Sequence, residues 1–424
     1  MRSILIALVL AATASRLAAD DAGLPSGGGI QVQGAFLLLE NGPGGGIQGT
    51  PYVAYGQGVY LAVWREGWHG KGGQACVYAA RVSPQGNVLD PKGIEIVLRR
   101  QRVEERPRVA FGGGVFLVVW QDFSGKDYDV LAARVNAEGK VLDREPIAVA
   151  AGPRTQVLPE VASDGQGFLV VWQGLQGNET SYRGFAAPVG ADGNVGATIE
   201  TGASPQPKIA WNGERYLAAY GSQSVVTVML DREGRPLNRS KWGTPGLYST
   251  KAAVFSLSPV PGKGWLVVGH RAPPDPWGWG GPGAMRAALV GADGRVENQD
   301  AIKEPAGVQR RLPGWLDLGR EKRPGSTWPW GESASAWTGR CSLVVWQRQH
   351  LTGEKLTNFE NCDLVAARLD GFRSLDEAGV PVAASPAEEK RPALASDGAG
   401  HALCLYEKHA SGATRIAARL MTVR

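Results

Sequence analysis

The side chains best suited to chemistry follow one recurring kind of segment, an apolar run that ends at or near an aromatic residue. His69 comes soon after YLAVW, His270 after GWLVVG, His350 after SLVVW and His409 after ALCLY. Neutral imidazoles that converge can hold a transition metal, with Glu66 or Glu407 beside two of these runs as an oxygen ligand. Their spacing matches no ligand motif, and histidines beside surface turns are the simpler reading. Asp122, Glu66 and Glu407 follow the same runs and offer a carboxylate pair for acid–base work. Acids at strand ends also satisfy loop amides, which needs no catalysis. The chain has no H-E-x-x-H, no G-x-S-x-G and no Walker A loop, so no residue is assigned a catalytic role and no cofactor is called for.

Tryptophan is the other chemistry-bearing residue. Seven of the 14 tryptophans sit in the apolar runs or their partners. The other seven, Trp68, Trp242, Trp277, Trp279, Trp315, Trp328 and Trp330, fall between the runs. An exposed indole is a sugar-stacking platform and an interface anchor. The competing reading is that these rings pack as small satellite cores beneath long loops.

The elements that must carry these residues come from a repeat. Residues 107–143 read PRVAFGGGVFLVVWQDFSGKDYDVLAARVNAEGKVLD, and residues 51–90 give PYVAYGQGVYLAVW, a loop, then VYAARVSPQGNVLD. Further copies begin at 159, 207, 252, 333 and 391, the one at 252 being the most degenerate. A period of about 50 residues in β-rich units predicts propeller blades. Each unit parses into four strands: P-x-V-A is strand a, the apolar run strand b, A-A-R-V strand c, and the segment after a glycine turn strand d. The run at 116–120, FLVVW, is continuous and not alternating, as expected of a strand buried on both faces. Glycine is abundant, at 59 residues, and its place in turns such as 191–193 and 292–294 matches a positive φ. The seventh unit lacks a strand d, while residues 34–40, GAFLLLE, form a spare strand before the first unit. The expected fold is therefore an all-β, seven-bladed β-propeller of four-stranded antiparallel blades, its ring closed by this N-terminal strand. The units fall near 51–100, 107–150, 159–201, 207–243, 252–300, 333–383 and 391–424 of a single domain spanning 20–424.

The motif P-x-V-A, then Y-L-V-V-W, then A-A-R-V, then G-x-V-L-D resembles the repeat of secreted bacterial β-propeller proteins. The resemblance runs over 51–424, is best in the first three units, and implies a ring without a defined activity. The Trp-Asp dipeptide of WD40 blades and the S-x-D-x-G-x-x-W box of sialidases are missing here, which disfavours both.

In an antiparallel blade the b–c loops and d–a connectors emerge on the same face. The a–b and c–d turns are short, whereas the b–c loops at 270–284 and 347–362 and the d–a connector at 297–332 are long. Variation, the non-framework tryptophans and the four histidines thus share one face, the expected place for binding. The ligand-binding candidates are Trp277, Trp279, Trp315, Trp328, Trp330 and Trp68, concentrated in units five and six. The weak metal candidates are His69, His270, His350 and His409.

Arg2, an apolar run at 4–12 and the small residues at 12–14 and 17–19 read as a secretory signal peptide over 1–19, so the expected location is secreted or periplasmic. No other stretch reaches the ~18 apolar residues of a membrane span. The formal charge is +5. The basic stretch Arg99, Arg100, Arg102, Arg106 and Arg108 holds Glu104 and Glu105 within it and reads as a solvated loop, so nucleic acid is not an expected partner. Cys76, Cys341, Cys362 and Cys404 permit three disulfide pairings, and spacing does not choose among them. Composition and pattern thus favour a monomeric binding or scaffold protein with a protein or glycan ligand on the b–c/d–a face. A carbohydrate-active hydrolase or metal-dependent lyase using that face is the alternative.

Overall fold

The structure is a computed structural model. It describes all residues except 1–28, 40–46, 68–74, 98–102, 124–125, 176, 178–179, 203–205, 222–224, 243–251, 272–283, 298–315, 320–331, 350–361, 372, 377–378 and 411. The fold is a seven-bladed β-propeller of four-stranded antiparallel blades. Blade 1 has strands a to d at Gln48–Gly56, Val59–Gly67, Ala75–Val82 and Ile94–Glu95. Blade 2 has Val103–Gly112, Val115–Phe123, Tyr128–Val135 and Ile147–Ala150. Blade 3 has Gln156–Ser163, Phe168–Gly174, Arg183–Val189 and Ile199–Glu200, and blade 4 has Pro207–Trp211, Tyr216–Gly221, Val225–Leu230 and Pro236–Trp242. Blade 5 has Ala252–Val260, Gly264–Arg271, Ala284–Gly291 and Leu316–Gly319. In blade 6, Ser333–Trp337, Ser342–Gln349 and Cys362–Asp370 are followed by two short outer pieces, Arg373–Ser374 and Val380–Ala383.

Blade 7 takes strands a to c from Glu388–Ser396, His401–Ala410 and Ala413–Val423. Its outer position is filled from the other end of the chain. Ile30–Val32 pairs with residues 421–423, and Phe36 and Leu37 stand opposite Ala418 and Ala417. The expected closure by residues 34–40 therefore holds, with a second short strand ahead of it.

Between each pair of neighbouring blades lies a dry core built from strands b and c. Tyr60, Ala62 and Trp64 face Leu403 and Leu405 of blade 7, while Leu61 and Val63 face Phe116, Val118 and Trp120 of blade 2. Both faces of strand b are thus occupied, which is the physical reason for its unbroken apolar run. Trp64, Trp120 and Trp265 are fully buried, and Trp172 and Trp346 nearly so.

The A-A-R-V and V-L-D pieces of the repeat meet each other. Arg81 pairs with Asp90 at 2.9 Å, Arg134 with Asp143 at 2.7 Å and Arg368 with Asp376 at 2.9 Å. The same guanidiniums reach forward, Arg81 to the carbonyl of Ala137 and Arg134 to that of Ala191, both in the c–d turn of the next blade. Gly139, at φ +84°, lies in that turn, and a Cβ there would come within 2.7 Å of Arg81 Nε. In blades 1, 2 and 6 this arginine staples the blade to its neighbour, Arg368 reaching the carbonyl of Arg424.

Some sequence expectations need correction. The connector at 297–332 is not all connector, because Leu316–Gly319 within it is strand d of blade 5. The outer strand of blade 2 is not continuous from Val141; Val141 makes one isolated bridge to Val135, and the strand proper is Ile147–Ala150. Trp242 is not in a connection but ends strand d of blade 4, opposite Val225. No disulfide joins any of the four cysteines. No helix among the described residues is long and apolar enough to cross a membrane.

Candidate functional site

Strand a of every blade starts on the b–c/d–a face, and strand b ends there. Where the two meet, strand a carries a β-bulge. Two residues oppose one between Gly49 and Tyr52, Glu105 and Arg108, Val157 and Glu160, and Lys390 and Ala393. The residue before proline at this bulge has a left-handed backbone: Thr50 (φ 53°), Arg106 (51°), Leu158 (56°) and Arg391 (55°), with Gln206 (55°) at the same place in blade 4. A non-glycine residue in this region costs on the order of 1–3 kcal/mol and persists only where its surroundings hold it.

What holds it is a side chain from the preceding blade. Gln121 Oε1 accepts the N–H of Leu158 at 3.1 Å, and Gln173 Oε1 accepts that of Gln206 at 3.0 Å. Glu407 Oε1 accepts that of Thr50 at 2.7 Å. In each case the acceptor is the residue after the strand-b framework aromatic, and it serves the next blade round the ring.

The residue after the bulge proline, the x of P-x-V-A, gives a girdle across four consecutive blades. Arg108 lies over the Tyr52 ring at 4.9 Å and pairs with Glu160 at 2.9 Å, and Lys208 pairs with the same Glu160 oxygen. Burial alone would raise the Glu160 pKa, yet Arg108 and Lys208 hold it below the ordinary carboxylate range. Burial lowers Lys208, with Glu160 offsetting part of the effect. The basic stretch is thus not a solvated loop where it is described. Arg106 and Arg108 belong to strand a of blade 2, and Arg108 keeps only 14% of its side chain exposed. The alternation of tyrosine, cation, anion and cation is the signal in the sequence, visible only once the repeats are placed in register.

Above this girdle, charges from several blades converge. Arg391 Nη1 pairs with Glu407 at 3.0 Å, and its Nε lies 3.7 Å from Glu332. Arg106 of blade 2 lies within electrostatic reach of Glu332 on the blade 6 side and Arg391 of blade 7. Gln121 donates to Glu105 at 3.1 Å. Beside them is a set of buried polar atoms without hydrogen-bond partners: Gln48 Nε2, Thr50 Oγ1, Arg65 Nε and Nη1, and Glu66 Oε1. Gln48 stands opposite Glu66, and Gly49 opposite Arg65, so these atoms share one short stretch of the blade 1 ladder. A Cβ on Gly49 would sit 3.1 Å from Glu407 Oε1 and 3.3 Å from Arg65 Nη2, so a side chain there would push both groups back by a few tenths of an ångström. Such clustering is unusual, since most buried polar groups are paired.

Of the sequence candidates, Glu66 and Glu407 lie in this site and Glu407 does satisfy an amide, as acids at strand ends were expected to do. Glu66 Oε2 accepts the indole N–H of Trp64 at 3.1 Å. Trp68, Trp277, Trp279, Trp315, Trp328 and Trp330, with His69 and His350, lie outside the described residues. His270 stands in strand b of blade 5 opposite Ala253. His409 is exposed, with Nδ1 2.9 Å from Thr414 Oγ1. Among the described residues no group of three or more His, Cys, Asp or Glu could hold a metal ion.

No protein-family model and no curated protein sequence matches the chain. Solved structures do resemble it in fold. The hemagglutinin-neuraminidase ectodomain of parainfluenza virus 5 aligns with a TM-score of 0.50 and 10% identity, over 100% of this chain and 94% of that one. A GH43_1 enzyme from Xanthomonas citri complexed with xylotriose gives 0.37 and 13%, over 63% of this chain and 96% of that one. Trypanosoma rangeli sialidase in complex with 2,3-difluorosialic acid gives 0.46 and 8%, over 88% and 53%. At these identities the likeness is one of fold.

Proposed function

We propose that this chain is an exported, ligand-binding propeller that holds a glycan at the mouth of its central channel, on the b–c/d–a face. One observation carries the reading. Gln48, Thr50, Arg65 and Glu66 bring buried donors and acceptors without partners to a single stretch of that mouth. A polyhydroxylated ligand offers both kinds of partner at close spacing, and a protein pays for such orphaned atoms where a ligand later satisfies them. The two enzyme structures named above were solved with xylotriose and with 2,3-difluorosialic acid, and both ligands are those proteins' own. The sequence expectation that Trp68, Trp277, Trp279, Trp315, Trp328 and Trp330 stack on sugar rings belongs to this reading. Export rests on the segment 1–19.

A second reading, a carbohydrate-cleaving enzyme, is favoured by Glu66 and Glu407, carboxylates at corresponding strand-b ends of adjacent blades. A glycan array with residues 20–424 tests the first reading: selective retention of some glycans is expected, and retention of none overturns it. Incubating the protein with a retained glycan and measuring new reducing ends separates the two readings.

A further inference from the structure

The capping position does not hold an acceptor in every blade: blades 4 and 5 have Gly221 and Gly269 there, and blade 1 has a charged donor. The residue after the strand-b aromatic is Gln121 in blade 2, Gln173 in blade 3 and Glu407 in blade 7, and each accepts a bulge N–H of the next blade. In blade 1 that position is Arg65, directly after Trp64. A guanidinium has no acceptor, so Arg65 is unable to perform the capping that its place in the repeat calls for. It is nevertheless 93% removed from solvent, being only 7% exposed, and its Nε and Nη1 have no hydrogen-bond partner. Leaving a buried cation's donors unmade is among the costlier things a fold can do.

The acids nearby do not explain the arginine. Glu105, Glu407 and Glu66 all lie within electrostatic reach of it, as does the cation Arg391. Glu407 Oε1 is engaged by Thr50 N–H and Arg391, Glu66 Oε2 by Trp64, and Glu105 Oε2 by Gln121. None of these contacts is made by Nε or Nη1 of Arg65. On the adjoining bulge the exposed Arg106 adds a second guanidinium, and both arginines feel Arg391 and Glu105.

We infer that Arg65, at the joint of blades 1 and 2, is the anchor of an anion subsite, with Arg106 at its rim, and that the glycan held at the channel mouth carries an acidic group there. The inference rests on the glycan reading for the rest of the ligand, but not for the anion. Nε–H and Nη1–H of Arg65 point to different sides of the guanidinium, so each offers a single charge-assisted donor to an oxygen of a carboxylate or of a sulfate ester. Desolvation of Arg65 makes each charge-assisted bond stronger than it would be in water.

Arg65→Gln tests this, because glutamine restores the acceptor found in blades 2 and 3. Thermal unfolding of residues 20–424 is followed in sodium glucuronate, sodium sulfate and glucose, with ionic strength matched by sodium chloride. Without additive the variant is expected to melt about 2 °C or more above the native protein, since an orphaned charge becomes a made hydrogen bond. Glucuronate or sulfate should raise the native midpoint and leave Arg65→Gln unmoved, and glucose should move neither. Glucuronate alone acting assigns a carboxylate, and sulfate alone a sulfate ester. Equal shifts in both proteins, or none in the native one, overturn the subsite. On the glycan array, Arg65→Gln and the exposed Arg106→Gln should each weaken binding to acidic glycans at least tenfold. Retention of neutral glycans only, unchanged in both variants, overturns the subsite and leaves the glycan reading standing. Protection by glucuronate through Arg65 with no glycan retained does the reverse.

Discussion

Glu407, near the C-terminal end of the described chain, accepts the backbone N–H of Thr50 at 2.7 Å, so one carboxylate on blade 7 fixes the strained bulge of blade 1. The same oxygen receives Arg391 Nη1 at 3.0 Å. This contact sits at the joint where the two ends of the chain meet.

Glu407→Ala should therefore cost about 2–4 kcal/mol, because it strands both a buried N–H and a guanidinium. Glu407→Gln, which keeps an acceptor for Thr50, should cost less than half of that. Urea unfolding of the two variants checks the order, and equal losses would show that the Thr50 bond contributes little.

Glu160→Gln should be destabilising by about 3 kcal/mol or more at neutral pH, since it leaves Arg108 and Lys208 without their shared anion. The pH dependence has a definite sign. The folded-state pKa of Glu160 lies below its ordinary value of 4.5, so its contribution is complete above that value and is lost as pH falls through the depressed pKa. Acid titration of unfolding should show a component below pH 4.5 in the native protein that is missing in the variant.

Glu389 behaves in the opposite way. Burial raises its pKa to about 6 despite hydrogen bonds from Ser385. A carboxyl raised from 4.5 stabilises the fold in its protonated form, and that advantage disappears as pH rises from 4.5 through about 6. Stability measured across that window should fall in the native protein and stay flatter in Glu389→Gln.

Two tryptophans at one repeat position should respond differently to loss of the indole N–H. Trp172 donates to Gln156 at 2.7 Å, whereas Trp120 Nε1 has no partner. Trp172→Phe should cost about 1 kcal/mol more than Trp120→Phe, beyond the similar cavity that each leaves. Denaturant midpoints compared side by side decide it.

The ring was legible in the sequence because its architecture depends on positions that repeat in kind. Trp64, Trp120, Trp172 and Trp346 mark strand b, the Arg and Asp of A-A-R-V and V-L-D mark the staple, and counting strands exposed the spare one at 34–40. The site was not legible for the converse reason. Tyr52, Arg108, Glu160 and Lys208 occupy one repeat position but alternate in charge, so each read as variation until the strands were aligned. Arg106 and Arg108 looked like part of a solvated basic stretch because nothing local reveals that their partners arrive from other blades. Arg65 was equally silent, as its oddness exists only by comparison with Gln121, Gln173 and Glu407.

The outer strand of blade 7 has a consequence for how the molecule assembles. Ile30 pairs with Val423 and Phe36 with Ala418, contacts separated by nearly the whole described chain. Closing a loop of that length costs entropy that no local contact repays until the joint between blades 7 and 1 is in place. Six joints can form as the chain is made, but the seventh waits for residues 417–423, and with it the capping of Thr50 by Glu407. The mouth of the channel is therefore completed last, and a chain stalled before residue 417 presents an open arc with an apolar blade face bare at each end.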